Sequence, residues 1–276
     1  MSADSATAVA SASDLPVDGP ADAGPTSTGS AGLRSGILGF AISPLLIIVL
    51  AVILQRYVSS SLASESTASQ SSLDWSTRIR PQLEEHIWLT VYSTLLVLAI
   101  AIPLGIILTR PGARRFAGPV LVAANSGQSI PAYGLVVLFA AWLGTDFSTA
   151  VYALAVFAIL PVLRNTMVGL DQVDRAIIEA GRGMGMSKLL VLWRIELPLA
   201  VPVILAGVRT ALVINVGMAA LAFLIGGGGL GETINSGLKL QRDLVTFTGA
   251  ATVALVALTV DWLASVAERF LRPRGT

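Results

Sequence analysis

The residues that could do chemistry in this sequence are few. The chain has no cysteine and a single histidine, His86, so thiol catalysis, thiolate metal sites and paired-histidine metal sites are all excluded. His86 stands next to Glu84 and Glu85, and we expect this group to be solvated at a membrane interface. The sequence contains no G-x-x-x-x-G-K-[ST] loop for phosphates and no cluster of acids, bases and metal ligands. We therefore predict that the chain is not an enzyme and that it carries no cofactor or metal.

One polar, glycine-bearing stretch stands out against an otherwise apolar chain: IEAGRGMGMSKLLVLWRIELPLAVP, residues 178–202. The signals for helix ends in and before it are N-caps at Asp171 and Ser187, glycines tolerant of positive φ at Gly183 and Gly185, and a helix stop at Pro198. They predict a helix from about residue 172 to 182, a tight turn, and a second short helix. By periodicity alone, such a segment either rests on lipid headgroups or docks on a protein.

The composition shows what kind of chain surrounds this stretch. Hydrophobic residues make up 54% and charged residues 13%, and the mean hydropathy is +0.76, which is typical of a polytopic membrane protein. The net charge of +1 gives no indication of a nucleic-acid partner. We predict an all-α fold with about six membrane-spanning helices in the lipid bilayer. The apolar runs lie at 37–54, 87–109, 117–143, 148–164, 200–224 and 244–266.

The basic residues predict the orientation of these spans. With the N-terminus inside, twelve lie in cytoplasmic segments: Arg34, Arg110, Arg114, Arg115, Arg164, Arg175, Arg182, Lys188, Arg194, Arg269, Arg272 and Arg274. Five lie outside: Arg56, Arg78, Arg80, Lys239 and Arg242. This asymmetry favours a multi-pass protein with both termini in the cytoplasm and a long cytoplasmic loop at 165–199.

Three regions divide the chain. Residues 1–35 are rich in Ala, Ser, Asp, Gly and Pro without periodicity, so we predict a disordered cytoplasmic tail. Residues 36–80 hold a first membrane helix and an external loop, and residues 81–270 form the main transmembrane domain. The alternative for the first helix is a signal peptide that is cleaved at SLAS, residues 61–64.

The polar stretch resembles the EAA signature of ATP-binding-cassette (ABC) importer permeases. The matching residues are Glu179, Ala180, Gly181, Gly185, Ile195, Leu197 and Pro198, with Gly181 where the family more often has Ala. The segments QSIPAYGL (128–135), ILPVLRNTMVGLDQVD (159–174), PLAVPVILAGVRTALV (198–213) and LIGGGGLGETI (224–234) extend the resemblance over Glu84 to Ala267. They are similar to permeases for glycine betaine, carnitine and choline, which share their architecture with methionine importers.

The resemblance implies a function for the polar stretch. In this family the loop is a coupling helix that sits in a groove of a cytosolic ATPase, so the permease itself hydrolyses nothing. The implied coupling residues are Glu179, Ala180, Gly181, Gly185, Met186, Leu197 and Pro198. The implied partners are cytosolic ATPase subunits, a second permease subunit, identical or homologous, and an extracytoplasmic solute-binding protein, all at a bacterial inner membrane. The alternatives are a methionine-type amino-acid permease and an ion-coupled carrier, although Asp261 is the only acidic residue well inside a span.

Polar residues at membrane depth are the candidates for a substrate pathway, because each costs free energy in hydrocarbon unless it faces protein or water. The candidates are Asn125, Gln128, Ser129, Pro131, Tyr133 and Asn215. Hydrogen bonding between helices is the alternative role for such residues. Gly226–Gly229 and Gly231 are predicted to form either a tight re-entrant loop or a flexible external loop.

Overall fold

A computed structural model describes residues 29–64 and 66–271, so residues 1–28 of the predicted tail lie outside the described chain. The described residues contain helices and turns and no strand, which confirms the all-α prediction. The helices are α1 (Gly29–Leu62), α2 (Thr67–Ser72), α3 (Arg80–Leu108), α4 (Ala117–Ser129), α5 (Ala132–Leu143), α6 (Phe147–Asp171), α7 (Arg175–Gly183), α8 (Lys188–Val191), α9 (Leu197–Ala219), α10 (Gly231–Lys239) and α11 (Asp243–Leu271).

Five stretches of the described chain are long and apolar enough to cross a membrane. They are Ile42–Leu62, Thr67–Leu108, Phe147–Asp171, Lys188–Ala219 and Asp243–Leu271. The predicted span at 117–143 is instead a bent pair, α4 and α5, with an angle of 101° between its helices. Ile130 is extended because a residue before proline is pushed out of the helical region, and Pro131 is then the N-cap of α5. The count is six if this pair makes one span.

The centre of the bundle is α6, which packs against α3 and α9. Residues from Phe40 onward form one compact unit, whereas of residues 1–39 only the first turns of α1 are described. Small residues allow the three helices to approach closely. A Cβ on Gly207 of α9 would lie 2.8 Å from the Pro161 carbonyl oxygen of α6, and one on Gly105 of α3 would lie 2.7 Å from a methyl of Thr166. These contacts make α3, α6 and α9 a tightly packed core.

Helix α1 contacts other elements of the unit near its C-terminal end. Val58 and Leu62 pack against a cluster that includes Leu73 and Leu244, and the Tyr57 ring meets the Phe247 ring of α11 edge to face at 5.4 Å. The predicted span at 37–54 therefore lies within a longer helix. That this helix is retained rather than cleaved stays a prediction.

Two single turns of π-helix each precede a proline that continues the helix. Trp75–Ile79 comes before Pro81, and Leu192–Glu196 comes before Pro198. The predicted stop at Pro198 is therefore wrong. The Leu197 N–H donates to the Leu192 carbonyl five residues back, so the hydrogen-bond register has already shifted where the proline, which has no N–H, enters. The chain from α8 to the end of α9 is consequently one continuous helix.

Candidate functional site: the segment between α6 and α9

The candidate site starts at the N-terminus of α7, where a different aspartate from the predicted one caps the helix. The Asp174 Oδ1 atom accepts a hydrogen bond from the Ala176 N–H at 2.9 Å, and Asp174 has extended backbone angles. Asp171 is instead the last residue of α6 and lies 3.3 Å from Arg114. The predicted cap at Asp171 is wrong because the apolar pattern of α6 continues to Leu170, which is buried. Helix α7 therefore begins at Arg175.

The turn after α7 is a Schellman motif, the helix ending that needs a left-handed residue. Gly185 supplies it with φ of +86°. The Met186 N–H donates to the Gly181 carbonyl at 3.2 Å, and the Gly185 N–H donates to the Arg182 carbonyl at 3.0 Å. The positive φ predicted at the Gly183–Gly185 turn is confirmed at Gly185, whereas Gly183 ends the helix with ordinary angles.

The second helix of the segment starts as predicted. Ser187 is its N-cap, with the Oγ atom accepting from the Leu190 N–H at 3.3 Å. Helix α7 lies on this second helix through Gly181, which is buried. A Cβ at Gly181 would lie 2.6 Å from the Ile195 Cδ1 atom and 3.6 Å from a methyl of Val191. The helix–turn–helix is therefore held together by a contact that only a small residue allows.

The predicted coupling residues fall into two groups by exposure. Glu179, Ala180 and Gly185 are exposed on the outer side of the segment. Gly181 is buried, and Met186, Leu197 and Pro198 are half-buried on its inner side. The first group can contact another protein directly, while the second is wholly or partly covered by other residues of the chain. Their assigned coupling roles remain predictions.

Two exposed apolar side chains near the Gly185 turn are not among the predicted coupling residues. Met184 is 77% exposed and Leu189 is 68% exposed, on either side of the Gly185 turn. Ile177 of α7 is also exposed. Isolated exposed apolar residues are ordinary, but a group beside a fixed turn is typical of a contact surface. The only sequence signal was the placing of Met184 between two glycines.

An ion pair between a partly exposed arginine and a buried carboxylate fixes the return of the segment to the bundle. The two Glu196 carboxylate oxygens accept hydrogen bonds from Arg110, at 3.2 Å from Nη1 to Oε1 and 2.5 Å from Nη2 to Oε2. Arg110 lies just past the end of α3, and the Glu196 side chain is only 8% exposed. Because the partners are 86 residues apart, no local pattern indicated this contact.

We call this end of the bundle the α7 end, and the opposite end, where α3 begins beside α10, the α10 end. At the α10 end the Glu85 Oε2 atom accepts a hydrogen bond from the Gly229 N–H at 2.9 Å. Gly226, Gly228 and Gly229 all have positive φ, and a Cβ on Gly228 would overlap the Glu85 carboxylate. The glycine loop is therefore packed tightly against α3.

The expectation of a solvated histidine at this end is wrong. His86 is fully buried, and its Nε2 atom lies 3.0 Å from the Val216 carbonyl oxygen of α9. A carbonyl oxygen can only accept, so Nε2 carries the proton. Gln82, one turn earlier on α3, is also buried and accepts from the Thr233 hydroxyl of α10 at 2.5 Å. Burial of these groups depends on α9 and α10, which are far away in sequence.

The pathway candidates are not all brought together. Asn125, Ser129, Pro131 and Tyr133 are exposed around the bend between α4 and α5, and the Gln128 side chain donates to the Phe157 carbonyl of α6 at 2.9 Å. Asn215 is separate from them and fully buried. Its Nδ2 atom donates to the Thr94 hydroxyl of α3 at 3.0 Å, as the interhelical alternative expects. A pathway role for these residues stays a prediction.

The one acidic residue noted inside a span is paired. The Asp261 carboxylate of α11 accepts from Arg209 of α9 at 2.5 Å and 2.6 Å. A bidentate partner neutralises the carboxylate within the protein. This pairing gives the ion-coupled carrier alternative no support.

A bundle of long apolar helices with an exposed, capped helix–turn–helix between two of them defines a polytopic membrane permease. The family described as "Binding-protein-dependent transport system inner membrane component" matches residues 101–273 of this chain. The chain belongs to this family. It is thus a multi-pass inner-membrane component of a transport system rather than an enzyme, and helix α1 lies outside the matched residues.

Curated relatives and a solved structure agree with this assignment. The choline transport system permease protein OpuBB of Bacillus subtilis (strain 168) is 39% identical over 191 residues, which cover 69% of this chain and 87% of that protein. The osmoprotectant import permease protein OsmY of Salmonella typhimurium is 40% identical over 190 residues, covering 69% and 80%. A chain of the inward-facing MetNI methionine ABC transporter matches with a TM-score of 0.62 at 22% identity, covering 71% and 96%. The resemblance to ABC importer permeases is confirmed, and the last match shows a shared fold alone.

Proposed function

We propose that this chain is the permease subunit that carries a quaternary-amine osmoprotectant, such as glycine betaine, carnitine or choline, into the cytoplasm, driven by ATP hydrolysis on a separate ATPase subunit. The observation that carries the proposal is the exposed, internally fixed α7–α8 segment at the place of the family's EAA signature. Relatives at 36–40% identity are named as permeases for choline, for glycine betaine, carnitine and choline, and for osmoprotectants, which supports the substrate class.

The α7–α8 segment is the ATPase-docking surface in this proposal. Met184 and Leu189 bury their apolar side chains in the partner's groove, and Glu179 makes the charged contact. A coupling element must keep its shape while a partner pushes on it. The Asp174 cap, the Schellman turn and the Gly181 contact supply that rigidity within the segment itself.

The α7 end faces the cytoplasm and the α10 end faces outwards, with both termini inside. The distribution of basic residues supports this orientation. Because the chain has no cysteine, single cysteines give a clean test. Ser71 is exposed at the α10 end and is the site for Ser71→Cys. Gly112 lies in the turn after α3 at the α7 end, where a Cβ has no neighbour within 4 Å, and is the site for Gly112→Cys. An impermeant thiol reagent should label the first from outside and the second only after the membrane is opened; the reverse pattern contradicts the orientation.

The exposed bend between α4 and α5 faces a second permease subunit, identical or homologous, and the substrate passes there. Polar residues such as Asn125 and Ser129 are stable at membrane depth only against protein or water. An extracytoplasmic binding protein delivers the solute at the α10 end. The α7 surface and the α4–α5 bend therefore serve different partners.

The test is uptake by vesicles that hold the complete transporter with ATP enclosed. Labelled glycine betaine, carnitine or choline should accumulate with ATP, should continue when ionophores collapse the ion gradients, and should stop when a non-hydrolysable analogue replaces ATP. Uptake of methionine in their place would establish the amino-acid alternative. Accumulation driven by an ion gradient without ATP would establish a secondary carrier.

A further inference from the structure

Glu196 is the one buried acidic residue among the described residues. It ends the π-turn that leads from α8 into α9, two residues before Pro198. Both of its oxygens are held by Arg110, whose Nε atom also donates to the Ile106 carbonyl of α3 at 3.3 Å. The guanidinium is thereby fixed on one side to α3 and on the other to the coupling segment.

A bidentate pair of this kind fixes orientation as well as distance. Two parallel hydrogen bonds between a planar guanidinium and a carboxylate resist both rotation and separation. Separation would also leave the Glu196 charge buried without a partner, which is strongly unfavourable. The contact therefore behaves as a rigid link rather than an exchangeable surface pair.

The link lies directly beneath the docking surface. Ile195, the neighbour of Glu196, touches α7 at Gly181, and Val191 is buried against the same point. A displacement of α7 must therefore move the helical turn that carries Glu196. Through Arg110, the same displacement reaches the end of α3, whose other end is bonded to the glycine loop and α10.

We propose that Arg110 and Glu196 form a strut that makes α3 move with the coupling segment, so that motion of α7 reaches the α10 end along α3. This inference rests on the proposed function, because it assumes that an ATPase moves α7. Both are positioning residues: the Glu196 carboxylate is buried, the Arg110 guanidinium is held against it, and each acts through the helix to which it is attached.

The chain contains a matched control one turn away. Arg114 pairs with Asp171 and also joins the segment after α3 to the start of the coupling loop. That pair has a single contact at 3.3 Å, and its side chains are 58% and 42% exposed. An exposed single-contact pair of this type contributes little. Arg114→Gln removes the same charge at nearly the same place without touching the strut.

The experiment measures solute transported per ATP hydrolysed in vesicles that contain equal amounts of assembled transporter. Arg110→Gln and Glu196→Gln should still bind the ATPase, but the ratio should fall about five-fold or more, the lower end of typical coupling between sites. Arg114→Gln should keep the ratio of the unmodified protein. A purely structural role for the pair would reduce the amount of assembled transporter and leave the ratio per assembled complex unchanged.

A conservative variant covers the case in which the glutamine variants fail to assemble. Arg110→Lys keeps the charge beside Glu196 but cannot hold both oxygens in a planar fork. Its ratio should also fall, and a normal ratio in Arg110→Lys, Arg110→Gln or Glu196→Gln overturns the strut. Failure of the unmodified protein to take up solute with ATP would instead overturn the proposed function. Normal coupling in both the unmodified protein and the strut variants would contradict the strut but not the proposed function.

Discussion

The two glycine-bearing turns at opposite ends of the bundle use glycine for different reasons. At the α7 end, Gly185 has φ of +86° and a Cβ added there would have no neighbour within 4 Å. At the α10 end, Gly228 has φ of +74° and a Cβ would in addition overlap Glu85. Gly231 has ordinary angles, yet its Cβ would overlap the Ala220 carbonyl oxygen. The first turn needs only a backbone conformation, whereas the second needs that conformation and also the absence of a side chain.

This difference matches what surrounds each turn. The turn at the α7 end is followed by exposed residues and is bonded almost entirely within its own segment, as a surface that docks on a partner requires. The loop at the α10 end is bonded to α3 through Glu85 and lies against buried His86. Substitutions in the loop should therefore act on folding, and substitutions in the turn on coupling.

The largest effect is expected from Gly231→Ala. Its added methyl meets backbone atoms of Ala220 and the Phe223 ring, and backbone cannot rotate away. We expect a loss of about 3 kcal/mol, at the upper end of overpacking costs, seen as a lower thermal unfolding temperature in detergent and less protein in the membrane. Gly217→Ala in α9 is the control, since no atom lies within 4 Å of its Cβ and alanine favours helix. Equal stability of the two variants would contradict the close contact at Gly231.

Features formed by residues that are close together in the sequence could be predicted, whereas those formed by distant residues could not. The Ser187 cap and the Gly185 turn are local, so residue type and spacing were sufficient to predict them. Asp171 and Asp174 are both residue types that cap helices, and the burial of Leu170, which extends α6 to Asp171, decides in favour of Asp174. A proline inside a helical pattern predicts a helix stop, and the π-turn that lets the helix continue through Pro198 leaves no pattern in the residues before it.

Contacts between distant segments could not be predicted. Burial of His86 depends on a carbonyl 130 residues later in the chain, and the Arg110–Glu196 pair joins residues 86 apart. The sequence around His86 and Glu196 therefore gives no sign that both side chains are buried. The family resemblance supplied the fold but not these pairings.

The second effect in size is expected from Glu85→Ala. It removes the acceptor for the Gly229 N–H, and Gly229 is buried, so the donor is left without a partner. We expect a loss of about 2 kcal/mol in stability, measured by thermal unfolding in detergent. Glu85→Gln keeps an acceptor oxygen and should lose less. Glu84→Ala is the control, because it removes the neighbouring carboxylate, which pairs with exposed Arg80. It should change the stability little. A loss of stability as large as that of Glu85→Ala would show that the charge, and not the loop contact, is responsible.

The third effect is expected from Gly185→Val. A β-branched residue is strained at φ of +86° by about 1–2 kcal/mol, and relief of that strain changes the angle between α7 and α8. The protein should still fold and reach the membrane, but it should copurify less ATPase and transport less solute. Gly185→Asn should be milder, because asparagine visits the left-handed region more readily.

Gly183→Ala is the control for this third prediction, as Gly183 is helical with no neighbour within 4 Å of its Cβ. It should retain both ATPase binding and uptake. Normal uptake in Gly185→Val at matched membrane expression would favour the alternative in which the segment rests on lipid headgroups, since lipid can deform around an altered turn.

The smallest effect is expected from Gly181→Ala, which has a close contact of a third kind. Its added methyl meets the Cδ1 tip of Ile195 at 2.6 Å and the Met186 sulfur at 3.3 Å, and both are ends of flexible side chains. Rotation of Ile195 relieves the overlap at about 1 kcal/mol, within the cost of an off-rotamer side chain. Ile195→Val shortens the opposing side chain and costs about 1 kcal/mol alone. If the tip of Ile195 is the obstacle, the double variant should lose less free energy of unfolding than the two single variants lose together. The reason is that the methyl added at Gly181 fills the space of the methyl removed from Ile195. Thermal unfolding of the four proteins measures this coupling. Strict additivity would show that the Ile195 tip is not the obstacle at Gly181, which leaves the Met186 sulfur at 3.3 Å as the limiting contact.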